Sequence, residues 1–344
     1  MLASVSNVLI APILFFALGA GARAFRSDLR LPPELTKALS IYLLIGIGLH
    51  GGAELSRAEL GAAMNAVLAA LALSIVVPTI AYQTLIRAGR IGRLDAAAVA
   101  AHYGSVSAGT FLAGVAWLQA KEIAFESYPL IMLAIMESPA IIIGLLLAQR
   151  IRAMPGQRTD ATAIARAEVP TGGTTSEPGD PGIANALRTA LTHGSVVLLL
   201  GSMLIGAVIS DKSHAAIDPF FQHIFMGALC LYLLELGMVA MHRLGDFRAV
   251  SGFLTVFGIL MPIVGGLLGL LVGRFWLGLG VGGTTLVALL GASASYIAVP
   301  PAIRMAIPEA NPSIYLTLSL GITFPFNVIV GIPLFHGLAA RLAA

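Results

Sequence analysis

The chain alternates long apolar runs with short polar breaks. Ten runs can be marked along its 344 residues, at 4–22, 36–53, 62–86, 95–118, 127–150, 190–210, 221–241, 252–273, 282–306 and 312–338. Each is close to the roughly 20 residues a helix needs to cross a bilayer core. The pattern predicts an all-α integral membrane protein with ten transmembrane helices. The fourth and ninth runs are interrupted mid-span by the same small, hydroxyl-bearing pattern. It reads Gly104-Ser105-Val106-Ser107-Ala108 in one and Ala292-Ser293-Ala294-Ser295-Tyr296 in the other, 188 residues apart.

Two further echoes keep nearly the same offset. Ile41-Tyr42-Leu43-Leu44 returns as Leu231-Tyr232-Leu233-Leu234 after 190 residues, and Ile143-Gly144-Leu145 as Val330-Gly331-Ile332 after 187. A drift of three residues over so long a stretch points to a duplication. Five helices per copy is odd, so the second copy enters the membrane upside down, giving a 5+5 inverted repeat. The expected units are 1–151 (first repeat), 152–185 (linker) and 186–344 (second repeat). The linker is rich in Gly, Pro, Thr and charge, as in Pro178-Gly179-Asp180-Pro181-Gly182, and has no periodicity that would make it helix or strand.

Composition agrees with this picture. Hydrophobic residues make up 58% of the chain and charged ones 11%, against about 25% charged in a soluble domain. A net charge of +3 is too small to imply nucleic acid. One cysteine, Cys230, excludes an intramolecular disulfide. Met1–Ala22 lacks a basic leader, and Arg23, Arg26 and Arg30 follow the apolar run, as in a first membrane helix with its N-terminus outside. Of the 20 Lys and Arg, 15 then fall to one side and 5 to the other. That bias places both termini outside and the linker in the cytoplasm.

The serine pairs are the main candidate chemistry. On an intact helix Ser105 and Ser107 would point roughly 200° apart. Unwinding at 104–108 lets their hydroxyls and freed amides converge, ahead of the positive end of the following half-helix. The same holds for Ser293 and Ser295. Two such ends meeting at midplane would make a small-anion site; the plainer reading of one cluster is close helix packing. Glu137, in Met136-Glu137-Ser138-Pro139, is a carboxylate inside an apolar span, and such a group marks an ion or proton path unless it is a protonated packing group. Ser138 adds an oxygen and Pro139 frees a carbonyl, a set suited to a hard cation such as Na⁺. The repeat-related stretch Phe324-Pro325-Phe326-Asn327 keeps a proline and an amide but no acid. Glu235 reads as either cation-linked or a structural pair, His102 as a packing histidine or a proton carrier. Asp95 reads as a helix cap, Trp117 and Trp276 as interfacial anchors. No nucleotide loop, zinc motif or nucleophile elbow is present, so an enzyme is not expected.

Ala101-His102-Tyr103-Gly104-Ser105-Val106-Ser107-Ala108, Met136-Glu137-Ser138-Pro139, Ala292-Ser293-Ala294-Ser295-Tyr296-Ile297-Ala298-Val299-Pro300 and the run from Pro308-Glu309-Ala310-Asn311-Pro312-Ser313 to Phe324-Pro325-Phe326-Asn327 resemble the sodium-dependent bicarbonate permeases over nearly the whole chain. The resemblance implies core and gate domains, a homotrimer in the bacterial inner membrane, and import of HCO₃⁻ with Na⁺ by an elevator-like movement. It implies bicarbonate between the two breaks, at Gly104, Ser105, Val106, Ser107, Ser293, Ala294 and Ser295. Sodium would lie near Glu137, Ser138 and Asn327, with Na⁺ as the coupling ion and no organic cofactor. A PII-like cytoplasmic regulator is a further partner of such permeases. Another small monoanion, H⁺ coupling, or a bicarbonate-sensing receptor are the alternative readings.

Overall fold

The computed structural model describes residues 11–56, 60–137, 139–152, 194–245 and 252–344. The linker beyond Arg152, and Ser138, therefore lie outside the described residues. Among the described residues there is helix but no strand. In chain order the helices are α1 (Ala11–Ala24), α2 (Pro33–Leu55), α3 (Leu60–Arg87), α4 (Arg93–Gly104), α5 (Ala108–Ala120), α6 (Tyr128–Met136) and α7 (Pro139–Arg152). After the linker come α8 (Gly194–Val208), α9 (Asp211–Asp218), α10 (Phe225–Gly245), α11 (Gly252–Leu271), α12 (Val281–Ala292), α13 (Val299–Ala306), α14 (Pro312–Leu316) and α15 (Ile332–Ala343).

Five continuous stretches are long and apolar enough to cross a bilayer: Pro33–Ala53, Gly61–Arg87, Asp211–Arg243, Gly252–Trp276 and Pro312–Ala343. The chain is thus a multi-pass membrane protein. The third stretch starts almost three turns of helix before the apolar run at 221–241. The extra piece is α9, with Ser210 capping it through Ser213 N, joined to α10 by a π-helical turn at Pro219–His223. The last stretch is α-helical at its ends and over the short turn Phe324–Phe326. Between α14 and α15 it passes through π-helical turns at Thr317–Thr323 and Asn327–Gly331, on either side of Pro325, which cannot donate an amide to the ladder.

Which helices face lipid follows from their exposed side chains. Leu18 on α1, Met64 and Ile75 on α3, Leu204 on α8 and Leu260 and Leu271 on α11 are large, apolar and exposed. By contrast Ala96–Gly104 of α4, Gly109–Leu118 of α5 and Gly282–Ala292 of α12 are buried on every side. A helix apolar all round and wrapped by others forms the interior.

Lipid is as apolar as leucine, so close backbone approach and van der Waals contact drive these helices together. Four glycine contacts show this. On α1 and α10, a Cβ at Gly19 would overlap the Leu234 carbonyl, and one at Gly237 the Phe16 carbonyl. On α8 and α2, Gly206 meets the Leu49 carbonyl and Gly52 the Met203 carbonyl in the same way. In the interior Gly104 lies against Pro78 of α3, and Gly265 of α11 lies backbone to backbone with Gly291 of α12.

Polar ties close the ends of the interior helices. Asp95 Oδ1 accepts from the Asn311 amide at 2.8 Å, while the N-cap position of its own helix, Gly92, makes no side-chain cap. Asp95 therefore grips the head of α14 rather than capping α4. Glu126 Oε1 accepts from the Gly280 amide at 2.8 Å, at the head of α12. Arg152 makes a two-pronged ion pair with Glu309 at 2.8–3.2 Å. Trp276 is half exposed, but Trp117 is only 3% exposed. Trp117 packs against His336, ring centroids 4.7 Å apart, with the Lys121 ammonium 5.7 Å from its ring. It is an interior residue, not an interfacial anchor.

Candidate functional site

Helical bonding stops at Gly104 and restarts at Ala108. Ser105 (φ −98°, ψ 179°) and Ser107 (φ −111°, ψ 110°) are both extended. The equivalent gap between α12 and α13 is longer, from Ser293 (φ −83°, ψ 163°) to Ala298. Both gaps are buried; Ser105, Ser107, Ser293 and Ser295 are each at most 3% exposed.

The two gaps meet. The Ser107 amide donates to Ser293 Oγ at 3.1 Å, and the Ser295 amide donates to the His102 carbonyl at 2.8 Å. Each bond gives a broken-out amide a partner supplied by the other segment, which meets the requirement that buried backbone groups be paired.

The hydroxyls are partly committed to holding these turns. Ser107 Oγ accepts from the Thr110 amide and from Thr110 Oγ1, both at 3.1 Å, and so caps α5. Its own proton is the one it can offer elsewhere, to Tyr296 beside it or to a ligand. Ser295 Oγ accepts from the Val299 amide at 3.4 Å and likewise keeps its proton to donate. Ser293 Oγ donates to the Leu290 carbonyl at 2.9 Å, and Ser105 Oγ donates to the Glu137 carbonyl at 3.4 Å.

The two half-helix heads are unequal. The first amides of a helix have no partner within it; at the head of α5 these include Ala108, which lines the cavity at the crossing, and Gly109 behind it. At the head of α13, Val299 is followed by Pro300 and Pro301, which carry no N–H. Amide donors come mainly from the α5 side, so the symmetric pair of anion-binding ends expected from the serines is reduced to one good end.

A small cavity of about 30 Å³ lies at the crossing, lined by Val106, Ser107, Glu137, Ser295, Tyr296 and Ile297 among others. That is room for about a water or two. The structure thus brings Val106, Ser107, Ser295 and Glu137 to one space. Gly104, Ser105, Ser293 and Ala294 stand behind it, as packing and backbone support. Asn327 Nδ2 donates to the Ala292 carbonyl at 2.8 Å on the far side of the second gap, and its buried Oδ1 makes no hydrogen bond among the described residues.

Ser40, Leu44, Tyr296 and Ile297 line both this cavity and a vestibule of about 740 Å³. Lys37, Arg243 and Glu235 stand in the vestibule wall, beside Thr36 and Tyr232. Two cations to one carboxylate give the approach a positive bias toward anions. At the other end of α2, about 20 Å along its axis by helical rise, a third cavity of about 260 Å³ is lined by Gly46, His50, Gln119, Gln222 and His223. The crossing therefore has a recess on each side, each mostly apolar with a few polar side chains in its wall.

Sequence reasoning passed over four residues. Tyr296 lodges its hydroxyl over Gly109, stacks edge-on with Phe324 at 5.3 Å and separates cavity from vestibule. Its place inside the second serine motif was the available signal. Tyr103 and Thr323 share a 2.6 Å hydroxyl bond, and Thr323 Oγ1 also donates to the Gly258 carbonyl at 2.8 Å. Ser40 carried no signal, being one hydroxyl on an ordinary helix. His102 binds the Ala98 carbonyl through Nδ1 at 2.7 Å and stacks on Tyr315, centroids 4.4 Å apart, which is the packing role.

Compared with known families, residues 11–340 match the model of the Na⁺-dependent bicarbonate transporter superfamily. No individual curated protein matches closely enough to serve as a relative.

Proposed function

The chain belongs to the Na⁺-dependent bicarbonate transporter superfamily, and we propose that it is a symporter that imports HCO₃⁻ with Na⁺ by alternating access. The observation that carries this reading is the pair of hydrogen bonds joining the two helix gaps, Ser107 amide to Ser293 Oγ and Ser295 amide to His102 carbonyl. Crossed gaps put hydroxyl protons, amides and a helix head in one midplane space, as in secondary transporters built from discontinuous helices.

In this reading the anion sits at the head of α5. It accepts from the Ala108 and Gly109 amides and from the Ser107 and Ser295 hydroxyls, with Val106 fixing the floor. Glu137 faces the same cavity and supplies the negative charge for Na⁺, with Asn327 Oδ1 as a further oxygen near the second gap. Na⁺ beside the anion cancels its charge, so each ion lowers the cost of moving the other through a low-dielectric interior. Ser138 belongs to the same proposal by its sequence position alone.

The glycine contacts support the inverted 5+5 repeat with discontinuous fourth and ninth helices. Gly19–Leu234 maps onto Gly206–Leu49, Phe16–Gly237 onto Met203–Gly52, and Pro78–Gly104 onto Gly265–Gly291, a register that pairs Leu234 with Leu49 rather than with the Leu44 expected from the sequence echo, and Gly104 with Gly291 rather than Ala292. Under one operation, α1·α10 becomes α8·α2 and α3·α4 becomes α11·α12. The closely packed pairs α1·α10 and α2·α8 would form the gate, and α3–α7 with α11–α15 the moving core. The vestibule opens at the Lys37 end of α2. With the N-terminus outside, that end is cytoplasmic and the state is inward-open. A homotrimer in the bacterial inner membrane and a PII-like regulator on the cytoplasmic face complete the proposal by family analogy.

Coupled ligands must strengthen one another's binding by the same factor. The test is thermal unfolding of the purified protein with bicarbonate, Na⁺ or both. Bicarbonate should stabilise strongly in NaCl and weakly in choline chloride. Equal stabilisation in both salts would remove Na⁺ coupling, and formate matching bicarbonate would favour a broader monoanion site. Net flux into sealed vesicles separates transport from a bicarbonate-sensing receptor.

A further inference from the structure

The end of α1 carries a feature that transport does not use. Its last turn closes with Ser27 N donating to Ala22 O at 2.9 Å and Arg26 N to Arg23 O at 3.1 Å. This is a Schellman closure, whose left-handed position is usually glycine. Here it is Arg26, at φ 58°. A side chain held where a Cβ is strained points to a use for that side chain.

Its surroundings indicate the use. The Arg23 guanidinium lies 2.8 Å from His242 Nδ1 at the end of α10. A guanidinium only donates, so Nδ1 accepts and the neutral ring carries its proton on Nε2. Arg23, Arg26, Arg30 and His242, with the Ser27 hydroxyl and one carboxylate, Asp28, line a concave site of about 820 Å³. Three guanidiniums around one concavity suit a phosphate, which arginine binds through paired hydrogen bonds.

The source of that phosphate follows from the side chains between the arginines. Phe25 is 89% exposed and Leu29 41%, an unfavourable placement in water. The site lies at the ends of two membrane helices, at headgroup depth, where apolar side chains reach acyl chains and arginines reach phosphates. We propose that this arginine cluster binds the phosphodiester headgroup of an anionic phospholipid, with Phe25 and Leu29 against its acyl chains. The bound lipid would fasten α1 to α10, the helix that carries Glu235 and Arg243 into the vestibule. The inference needs only that the chain lies in a membrane and stands apart from the transport reading.

The test is thermal unfolding of the full chain in detergent, with phosphatidylglycerol, phosphatidylcholine or inorganic phosphate added in separate arms. The wild type should gain several degrees from phosphatidylglycerol alone. Arg26→Gly relaxes the left-handed turn, so with Arg30→Gln it should fold as well as the wild type yet lose most of that gain. Native mass spectrometry should show the same loss of retained phosphatidylglycerol. An undiminished gain and undiminished retention in the double variant would overturn the site. Equal stabilisation by phosphatidylcholine would overturn charge recognition, and equal stabilisation by inorganic phosphate would overturn the lipid as its source.

Discussion

The Ser107 amide is bound to the Ser293 hydroxyl at 3.1 Å across 186 residues of sequence. Ser293 in turn donates to the Leu290 carbonyl at 2.9 Å, the last turn of α12. One hydroxyl therefore ends one helix and satisfies the unwound backbone of another. Ser293→Ala removes both functions and leaves a buried amide unpaired, at a cost of about 1–3 kcal/mol. A lower unfolding temperature and at least a tenfold loss of bicarbonate uptake are expected. Ser293→Thr, which keeps the hydroxyl, should retain more of both.

Glu137→Gln keeps the shape of the side chain and removes its charge. The carboxylate is 7% exposed and faces the crossing cavity. A sodium titration of uptake should move to much higher Na⁺ or lose its Na⁺ dependence, with the fold intact by circular dichroism. Unchanged Na⁺ dependence would take Glu137 out of the cation site.

Gly265 and Gly291 have each other's carbonyls where a Cβ would go. Gly265→Val and Gly291→Val must push α11 from α12, and overpacking of this kind costs about 1–3 kcal/mol or more. Neither should give a monodisperse protein at wild-type yield. Gly227→Ala, where an added Cβ meets nothing within 4 Å, is the matched control and should behave as wild type.

Cys230 is the chain's one cysteine and is buried, so added thiols can be read against a quiet background. Ser40→Cys sits between vestibule and crossing, His50→Cys in the recess at the other end of α2. In oriented cells, a membrane-impermeant maleimide applied outside should label His50→Cys and leave Ser40→Cys unlabelled in the inward-open state. The reverse pattern would invert the topology.

The long helices were legible because a bilayer demands about 20 apolar residues in a row, and α2, α3 and α11 follow that rule closely. The helix gaps were legible for a related reason, since consecutive small and hydroxyl residues in an apolar run have few uses. What stayed hidden depends on partners distant in sequence. Asp95 looks like a cap until Asn311, 216 residues on, takes its carboxylate. Trp117 looks interfacial by its place near a span end, until α15 covers it with His336. The vestibule gathers residues from α2, α8, α10 and the second gap that share no motif. The inequality of the two helix heads was present in Pro300-Pro301, but its meaning depends on knowing where α13 begins.

Uptake of ¹⁴C-bicarbonate by sealed proteoliposomes, with an inward Na⁺ gradient or with choline in its place, tests the central claim most directly. The account predicts concentrative uptake with Na⁺, its collapse in choline, and its loss in Ser107→Ala and Ser295→Ala. Absence of uptake under both salts in protein that still binds bicarbonate would contradict transport. Wild-type rates in both serine variants would contradict the site.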